Sequence, residues 1–477
     1  MRFPAFIGPS YTLQSVNVDA QACVNLFPEI NPLGTGKERE VASLVPTPGL
    51  STLLTLADSP VRGLYTASNG EVYAVGGEKL YSISSAWAAT ELGTLNTSTG
   101  PVSMKDNGTS LVIVDGASGY HWNMSTDTFA EITDSDFYPA DQVDFLDGYF
   151  IFNRTGTQQF FFSELNSVNL DALDIQSAEG SPDSIVGLKA HNQSAFFFGS
   201  NTIEVFYDSG NSDSPFQRIQ GAVIDIGCAA AFSIARVADN LFWLGGDENG
   251  NGVVYEMRGY QPVRVSTPAI EAQIRQRNQT QIMGARAWSY QQGGHQFYCL
   301  NITGFNTTWC YDVSTKMWHE RKYLDSWGYE RHRADCHTVA FGVNIVGDYE
   351  TGAIYELDPD TYNDFGNEIV RIRTAPHFSA NLKLVSHYSF QLDMEVGVGL
   401  TTGQGSDPQA MLDWSDDGGH SWSNERQASI GKKGETKKRV IWRRLGMARD
   451  RVYRVKVSDP VKVVLIGAEL DVEGGKA

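Results

Sequence analysis

Seven times between residues 71 and 358 the chain repeats one pattern: an apolar run, a turn containing glycine, and a second run closing on aromatic or acidic residues. The copies are Glu71 to Ile83, Ser110 to Met124, Tyr149 to Leu165, Ala195 to Asp208, Leu241 to Met257, Gln296 to Val313 and Val343 to Asp358. Their starts are 39, 39, 46, 46, 55 and 47 residues apart, a period that suits one four-stranded propeller blade per copy. Short apolar runs precede the copies, as in Val61–Tyr65, Val143–Leu146 and Ile185–Leu188, and are expected to be innermost strands. A lone antiparallel sheet of this kind cannot bury both faces. Stacking the sheets radially does so, and ring closure protects their edges. The repeat therefore predicts an all-β fold, an irregular β-propeller of six or seven blades, with a stacked pair of β-sandwiches as the structural alternative.

Two segments fall outside the repeat. Residues 1–54 carry Pro4, Pro9, Pro28, Pro32, Pro46 and Pro48 among short apolar stretches, which suits an extended arm laid over a folded surface or a neighbour. Residues 379–477 alternate apolar and polar side chains, as in Phe390–Val396 and Val452–Val457, the mark of half-buried strands in a separate C-terminal β-sandwich-like domain. The propeller is assigned to residues 55–378. Helix is scarce; one is expected with Thr267 as cap and Pro268 at the first helical position, running through Ile270 and Ile274 toward Arg277.

Charge narrows the function classes. Lys+Arg number 37 against 56 Asp+Glu, a net charge of −19. That disfavours a sequence-independent grip on nucleic acid, which depends on Lys and Arg neutralising phosphates. The charge is unevenly spread, however: residues 426–456 hold twelve basic and two acidic residues, a local +10 that leaves −29 elsewhere. One reading is a solvated hairpin on an exposed edge, where lysine discourages strand pairing. The other is a docking surface, for DNA phosphates or for an acidic partner such as the propeller of a neighbouring copy. Its candidate residues are Lys432, Lys433, Lys437, Lys438, Arg439, Arg443 and Arg444.

No run reaches the eighteen or so apolar residues of a membrane helix, and Pro4 and Gly8 interrupt the N-terminus where an export signal would be apolar. Five scattered cysteines do not form a disulfide framework. The expectation is a chain that does not insert in membranes and folds in a reducing cytoplasm.

Four motifs have both chemical and structural readings. Ser415-Asp416-Asp417-Gly418-Gly419-His420-Ser421-Trp422 fits the Asp-box pattern of sialidases and other β-proteins. There Ser415, Asp417 and Gly419 shape a hairpin turn and Trp422 packs beneath it, a structural role without chemistry. Asp247–Gly252 opens like a calcium loop, but the twelfth position is Arg258 where a bidentate Glu belongs, so a Gly-rich hairpin turn is the better reading. His319, His332, Cys336 and His337 are crowded by Glu320, Arg321, Lys322, Arg331 and Arg333 and lack a C-x2-C pair, which favours a polar surface or interface loop over a metal site. Cys299 and Cys310 face each other if their hairpin turns about Gly304 and Phe305, and are read as two small buried hydrophobes. No G-x-S-x-G, H-E-x-x-H or phosphate-cradling Gly-Lys-Ser/Thr loop occurs. No catalytic residue, metal or cofactor is assigned.

A series of short motifs carries a family resemblance along nearly the whole chain. They are Asn25-Leu26-Phe27-Pro28-Glu29 and Pro48-Gly49-Leu50, Gly76-Gly77 with Leu80-Tyr81, Phe145 to Phe150, Phe198 to Val205, Gly227-Cys228, Trp243-Leu244-Gly245, Val265-Ser266-Thr267, Val440 to Gly446 and the Arg451-to-Val472 region. In this order they resemble the tail-hub or nozzle proteins of short-tailed bacteriophages, also described as packaged-DNA stabilisation proteins. The resemblance implies a structural virion protein, made in the host cytoplasm and without catalysis. It implies a ring of six copies below a portal-adaptor ring, continuing the channel for double-stranded DNA and holding packaged DNA until ejection. Tail fibres or tailspikes and a needle or plug protein are the implied neighbours. The competing class, suggested by the Asp-box alone, is a glycan-binding or sialidase-like propeller; it requires a concave axial site with convergent Arg, Tyr and carboxylates.

Overall fold

The seven repeat copies are the second and third strands of seven antiparallel blades in a computed structural model that describes residues 1–31, 42–211, 214–247 and 250–474. The blades begin at Val61, Ser103, Val143, Ile185, Ala235, Arg286 and Ala334. Their first strands meet in succession around an axis, and the short turn Ala231–Ser233 fills the joint between blades four and five. Every joint has its own apolar core: Tyr73 and Trp122 lie between blades one and two, Phe160 and Phe197 between three and four, and Phe242 and Tyr298 between five and six. Both faces of a blade are thus buried. That is why strands such as Gln159–Ser163 and Ser194–Gly199 read as continuous aromatic runs instead of alternating.

Blade seven closes the ring by joining distant parts of the chain. Its outer strand, Gly49–Thr55, pairs antiparallel with Ala353–Asp358. Upstream, Ala20–Val24 runs parallel to Met317–Asp325, the outer strand of blade six, and antiparallel to Arg371–Thr374. One sheet therefore passes without a break from blade six into the C-terminal domain. The hairpin Leu26–Ile30 and Ala42–Pro46 reaches the domain's other sheet, where Leu44 faces Leu465. The segment expected as an overlying arm is instead built into three sheets, because Cys23, Leu26, Leu44 and Leu50 each carry an apolar side chain into a core. Its prolines fit: Pro28 sits on an edge strand and Pro46 ends one.

The C-terminal domain is a sandwich. One sheet carries Val385–Met394, Val440–Arg443 and Leu465–Gly474; the other carries Arg371–Thr374, Gln409–Ser415, Arg426–Ser429 and Asp450–Val457. Phe390, Leu392, Leu412, Trp442, Tyr453, Val455 and Leu470 fill the space between them, joined by Phe3 and Phe6 from the N-terminus. Arg373 fixes that N-terminus in place. Fully buried, it donates to the carbonyls of Ala5, Phe6, Pro9 and Ala22 and to Gln21 Oε1 at 2.6–3.4 Å. Burial lowers its pKa to about 10, which leaves it charged at neutral pH. Each such charge-assisted bond is worth about 1.5–3 kcal/mol.

Local features account for several sequence motifs. Asn25, at φ 55°, stitches blade six to the sandwich: Nδ2 donates to the carbonyls of Lys322 and Val370, and Oδ1 accepts from the Lys322 amide. At Gly227 a Cβ would lie 2.0 Å from the Ser200 carbonyl, and the Gly227 carbonyl in turn accepts from Trp243 Nε1 at 3.1 Å. The pairing of Gly227-Cys228 with Trp243-Leu244-Gly245 is therefore one close backbone approach. The helix after Thr267 spans Pro268–Arg275, and a second, Gln279–Met283, follows a reciprocal cap between Asn278 and Gln281. Both sit between blades five and six, which explains the long interval of 55 residues there.

The Trp318–His337 segment corrects an expectation. His319 and Arg321 are fully buried and His332 nearly so, because the N-terminal strand covers the outer edge of blade six and sets Phe27 5.9 Å from His319. Only the hairpin between Met317–Asp325 and Gly328–Arg331 behaves as a surface loop, with Trp327 93% exposed at its tip. Among the described residues no three His, Cys, Asp or Glu side chains gather as metal ligands. Cys299 and Cys310 are directly opposite across the second and third strands of blade six, buried and unbridged, with sulfurs 3.0 Å apart. Asp247 and Gly250 face each other at the end of a strand pair; Glu248 and Asn249 of the calcium-like loop lie outside the described residues.

Candidate docking surface

The basic segment 426–456 divides into two sets of side chains with different surroundings. Arg451, Arg454 and Lys456 alternate along a central strand of the sandwich and are engaged inside the chain. Arg451 is almost fully buried, donates to Asp416 and to the Leu445 carbonyl, and lies over the Trp414 ring. Arg454 and Lys456 converge on buried Asp413, at 2.5 and 3.2 Å. These charges hold the domain together and are not available to a partner.

Lys432, Lys433, Lys437, Lys438, Arg439, Arg443 and Arg444 are all exposed. Among the described residues none of their side chains lies within 4 Å of a carboxylate. They occupy the loop that crosses from Arg426–Ser429 to Val440–Arg443, the edge strands of the two sheets, and continue along the second strand. The open side of the sandwich is closed by Arg426, which donates to the carbonyls of Arg443 and Arg444, and by Trp442 Nε1, which donates to the Arg426 carbonyl at 2.7 Å. The loop itself is held in shape. Gly431 and Gly434 adopt φ of 103° and 85°, and the Gly434 amide donates to the Gly397 carbonyl at 3.0 Å. The result is a ridge of seven exposed cations, with Arg439 donating to Gln391 Oε1 and, among the described residues, no carboxylate paired with any of them. Exposed Tyr388 adjoins its Arg444 end, where the Arg444 amide donates to the Tyr388 carbonyl, and exposed Met447 and Leu382 lie further along, Leu382 held by Arg449.

The Asp-box residues stand together at the opposite turn of the same sheet, between Gln409–Ser415 and Arg426–Ser429. Ser415 Oγ accepts from the Gly419 amide at 2.7 Å and donates to Asp417 Oδ1 at 2.6 Å. Asp417 also accepts from the Ser421 amide and hydroxyl, and these bonds hold its carboxyl below the usual range. Trp422 packs against Gly419 and carries the Arg454 guanidinium 3.7 Å above its ring. Asp416 of the same turn binds Arg451, so the box ties its loop to the domain core.

The axial cavity of the propeller, about 350 Å³, is lined by Arg62, Tyr65, Lys189, Arg236, Arg286, Asp335 and His337 among others. Its arginines are engaged elsewhere: Arg62 donates to the carbonyls of Gly77, Thr97 and Gly100, and Arg286 is paired with Asp335 at 2.7 Å. Asp144 is bound by Lys105 and Lys189. These groups neutralise one another instead of converging on an open site.

Sequence reasoning missed a second charged region. Residues 106–188, from blade two into the first strand of blade four, hold fourteen acidic residues against Arg154 alone, a local charge of −13. A running charge count along the chain reveals it. Asp127, Glu131, Asp134, Asp147, Glu164, Asp171 and Glu179 are exposed, and Leu165 and Leu173 stand out among them, the latter 85% exposed.

Comparison with known families decides the relationship. The model described as "Bacteriophage P22 Gp10, beta-propeller" matches residues 1–362, and the one described as "Bacteriophage P22 Gp10, beta-sandwich" matches residues 370–473. The chain belongs to the P22 Gp10 family. Among curated relatives, the tail hub protein gp10 of Salmonella phage P22 is 22% identical over 474 residues, covering 93% of this chain and 94% of the relative. The resemblance drawn from the short motifs is thereby confirmed, and the Gp10 division into propeller and sandwich agrees with the sheets described above. Solved structures include the extracellular domain of the hybrid two component system BT4673 of B. thetaiotaomicron, with a TM-score of 0.46 and 10% identity, covering 76% of this chain; the chain spans 43% of that structure. The WD40 propeller domain of Doa1 has a TM-score of 0.40 and 12% identity, covering 65% of this chain and 96% of its own.

Proposed function

We propose that the chain is a non-enzymatic tail component of a short-tailed bacteriophage, the hub or nozzle of its virion. The observation that carries this reading is the match of both Gp10 domain models, together with the tail hub relative that covers 93% of the chain. In this role six copies form a ring below the portal-adaptor, continue the DNA channel, help retain packaged DNA and anchor tail fibres or spikes and a needle or plug. DNA passes the ring through non-specific contacts. A rigid seven-bladed body with a sandwich fused to blade six offers broad lateral faces for such a ring. The unpaired basic ridge is its docking surface. The Asp-box is a structural element of the sandwich. The glycan-processing alternative has the box in its favour, but the axial arginines are occupied by carbonyls and by Asp335.

Electron imaging of the purified protein, with and without the adaptor ring, tests the reading. A closed multi-copy ring below the adaptor is expected, with rescue of tail assembly by the chain supplied in trans. A persistently monomeric chain that joins no ring and rescues no assembly overturns it.

A further inference from the structure

The chain's two outlying charge features, one on the sandwich and one on the propeller, lie far apart in the topology. The sandwich is fused to blade six through the strand Ala20–Val24. In a closed ring of seven, blades two and three are each three steps from blade six, one in either direction, and so form the far rim. Of the −13 segment, exposed Asp127, Glu131, Glu164, Asp171 and Glu179 lie on or next to the outer strands of those blades, whereas Asp144 is buried on an inner strand and paired with Lys105 and Lys189. Its outermost strands, Thr128–Glu131 and Leu170–Ser177, are free edges, each paired on one side only. Half-buried Asp174 is raised in pKa by burial and then by the charges of Asp171 and Glu164. Among the described residues no Lys or Arg approaches within 4 Å of the exposed acids on this rim.

The two poles match in kind as well as in sign. The ridge carries seven cations and ends, at Arg444, beside exposed Tyr388, with exposed Met447 on the neighbouring strand; the rim carries carboxylates around exposed Leu165 and Leu173. Exposed apolar side chains flanked by charge are ordinary components of a protein interface. Opposite charges at opposite ends of one molecule cannot meet within it, but they do meet between copies placed head to tail. Such a heterologous contact generates a closed ring when its rotation closes.

We propose that the ridge Lys432–Arg444 of one copy docks on the outer rim of blades two and three of the next, with its lysine loop over the carboxylates around Leu165 and Leu173. This deepens the tail-ring reading by naming the mating faces, and it rests on that reading for the copy number. The partner is a second copy of this chain because the chain itself supplies the complementary surface. Orientation and rate of encounter come from the charges, so association weakens steeply with salt.

A zero-length carbodiimide, which joins a lysine amine directly to a carboxylate, reads the contact. The probe is applied to an equal mixture of unlabelled and nitrogen-15-labelled protein, and to purified tails, followed by mass spectrometry of linked peptides. Mixed-isotope links from Lys432, Lys433, Lys437 and Lys438 to Glu164, Asp171, Asp174 or Glu179 are expected. The quadruple variant K432E/K433E/K437E/K438E is expected to lose them, and adding E164K/D171K/D174K to the same chain to restore them with the donors exchanged. Circular dichroism melting verifies that the variants fold; the four lysines, Glu164 and Asp171 are exposed and Asp174 is half-buried. The inference is overturned by mixed-isotope links that join other surfaces, by their absence from both protein and tails, or by a quadruple variant that loses DNA binding while keeping self-association. Failure of the tail reading shows separately, as absence of the wild-type chain from purified tails.

Discussion

Arg451, Arg454 and Lys456 lie within twenty-five residues of Lys432, Lys433 and Lys437, yet the two groups act on different things. The first group is buried or half-buried against Asp413, Asp416 and the Trp rings of the sandwich. The second projects from an edge loop, and among the described residues no carboxylate lies within 4 Å of its ammonium groups. A local charge of +10 is therefore two quantities added together: charge that stabilises the fold, and charge left over for a partner. Mutation separates them, since removing a buried partner leaves an uncompensated charge whereas removing an exposed one costs little.

The largest expected effect belongs to the buried set. Arg373→Met leaves five acceptors from residues 5–22 without their donor and is expected to lower stability by about 4 kcal/mol. Urea unfolding measures that loss, and proteolysis is expected to release the N-terminal segment first. A loss below about 1 kcal/mol would mean that the N-terminus is held by its phenylalanines alone.

Acid should strike the same domain next. His387 is buried against Tyr453, with Nδ1 2.8 Å from the hydroxyl, and burial pushes its pKa from 6.5 to about 4. The unfolded chain takes up this proton near pH 6.5, so the neutral ring's contribution is fully present above that pH. It is lost as pH falls toward about 4, by up to about 3 kcal/mol. His387→Gln is expected to flatten the pH dependence of unfolding across that window. An unchanged slope would place the acid sensitivity elsewhere.

Asp413→Asn should cost about 2 kcal/mol, since it removes the buried carboxylate of Arg454 and leaves Lys456 only its pair with half-exposed Glu425. Reversal of Lys432, Lys433, Lys437 and Lys438 should change the unfolding free energy by less than about 0.5 kcal/mol. Calorimetry on both variants sharpens the comparison: similar losses in the two would erase it.

The blades were legible because every one needs two fully apolar central strands, and seven such pairs are hard to hide in a sequence. The count was ambiguous because blade seven takes its outer strand, Gly49–Thr55, from before blade one. No local pattern announces a partner three hundred residues away. For the same reason the proline-rich N-terminus read as an arm: its strands pair with Met317–Asp325, Arg371–Thr374 and Leu465–Gly474, contacts set by topology and not by periodicity. Polar residues of Trp318–His337 looked solvent-facing because the strand that covers them comes from that same distant segment. At the candidate surface the basic residues were visible as composition, but their division into paired and unpaired sets depends on which neighbours Asp413 and Asp416 supply. The acidic rim was equally visible in composition, and its meaning came only from its position opposite the sandwich.

Sedimentation velocity on two charge variants, alone and mixed, tests that opposition most directly. One chain carries K432E/K433E/K437E/K438E and so has two acidic poles; the other carries E164K/D171K/D174K and so has a basic ridge facing a basic rim. Neither should associate by itself at low salt, and the equimolar mixture should form complexes that dissolve as salt is raised. A mixture that stays monomeric while the wild-type chain associates, or variants that associate separately as well as the wild type does, would contradict the account.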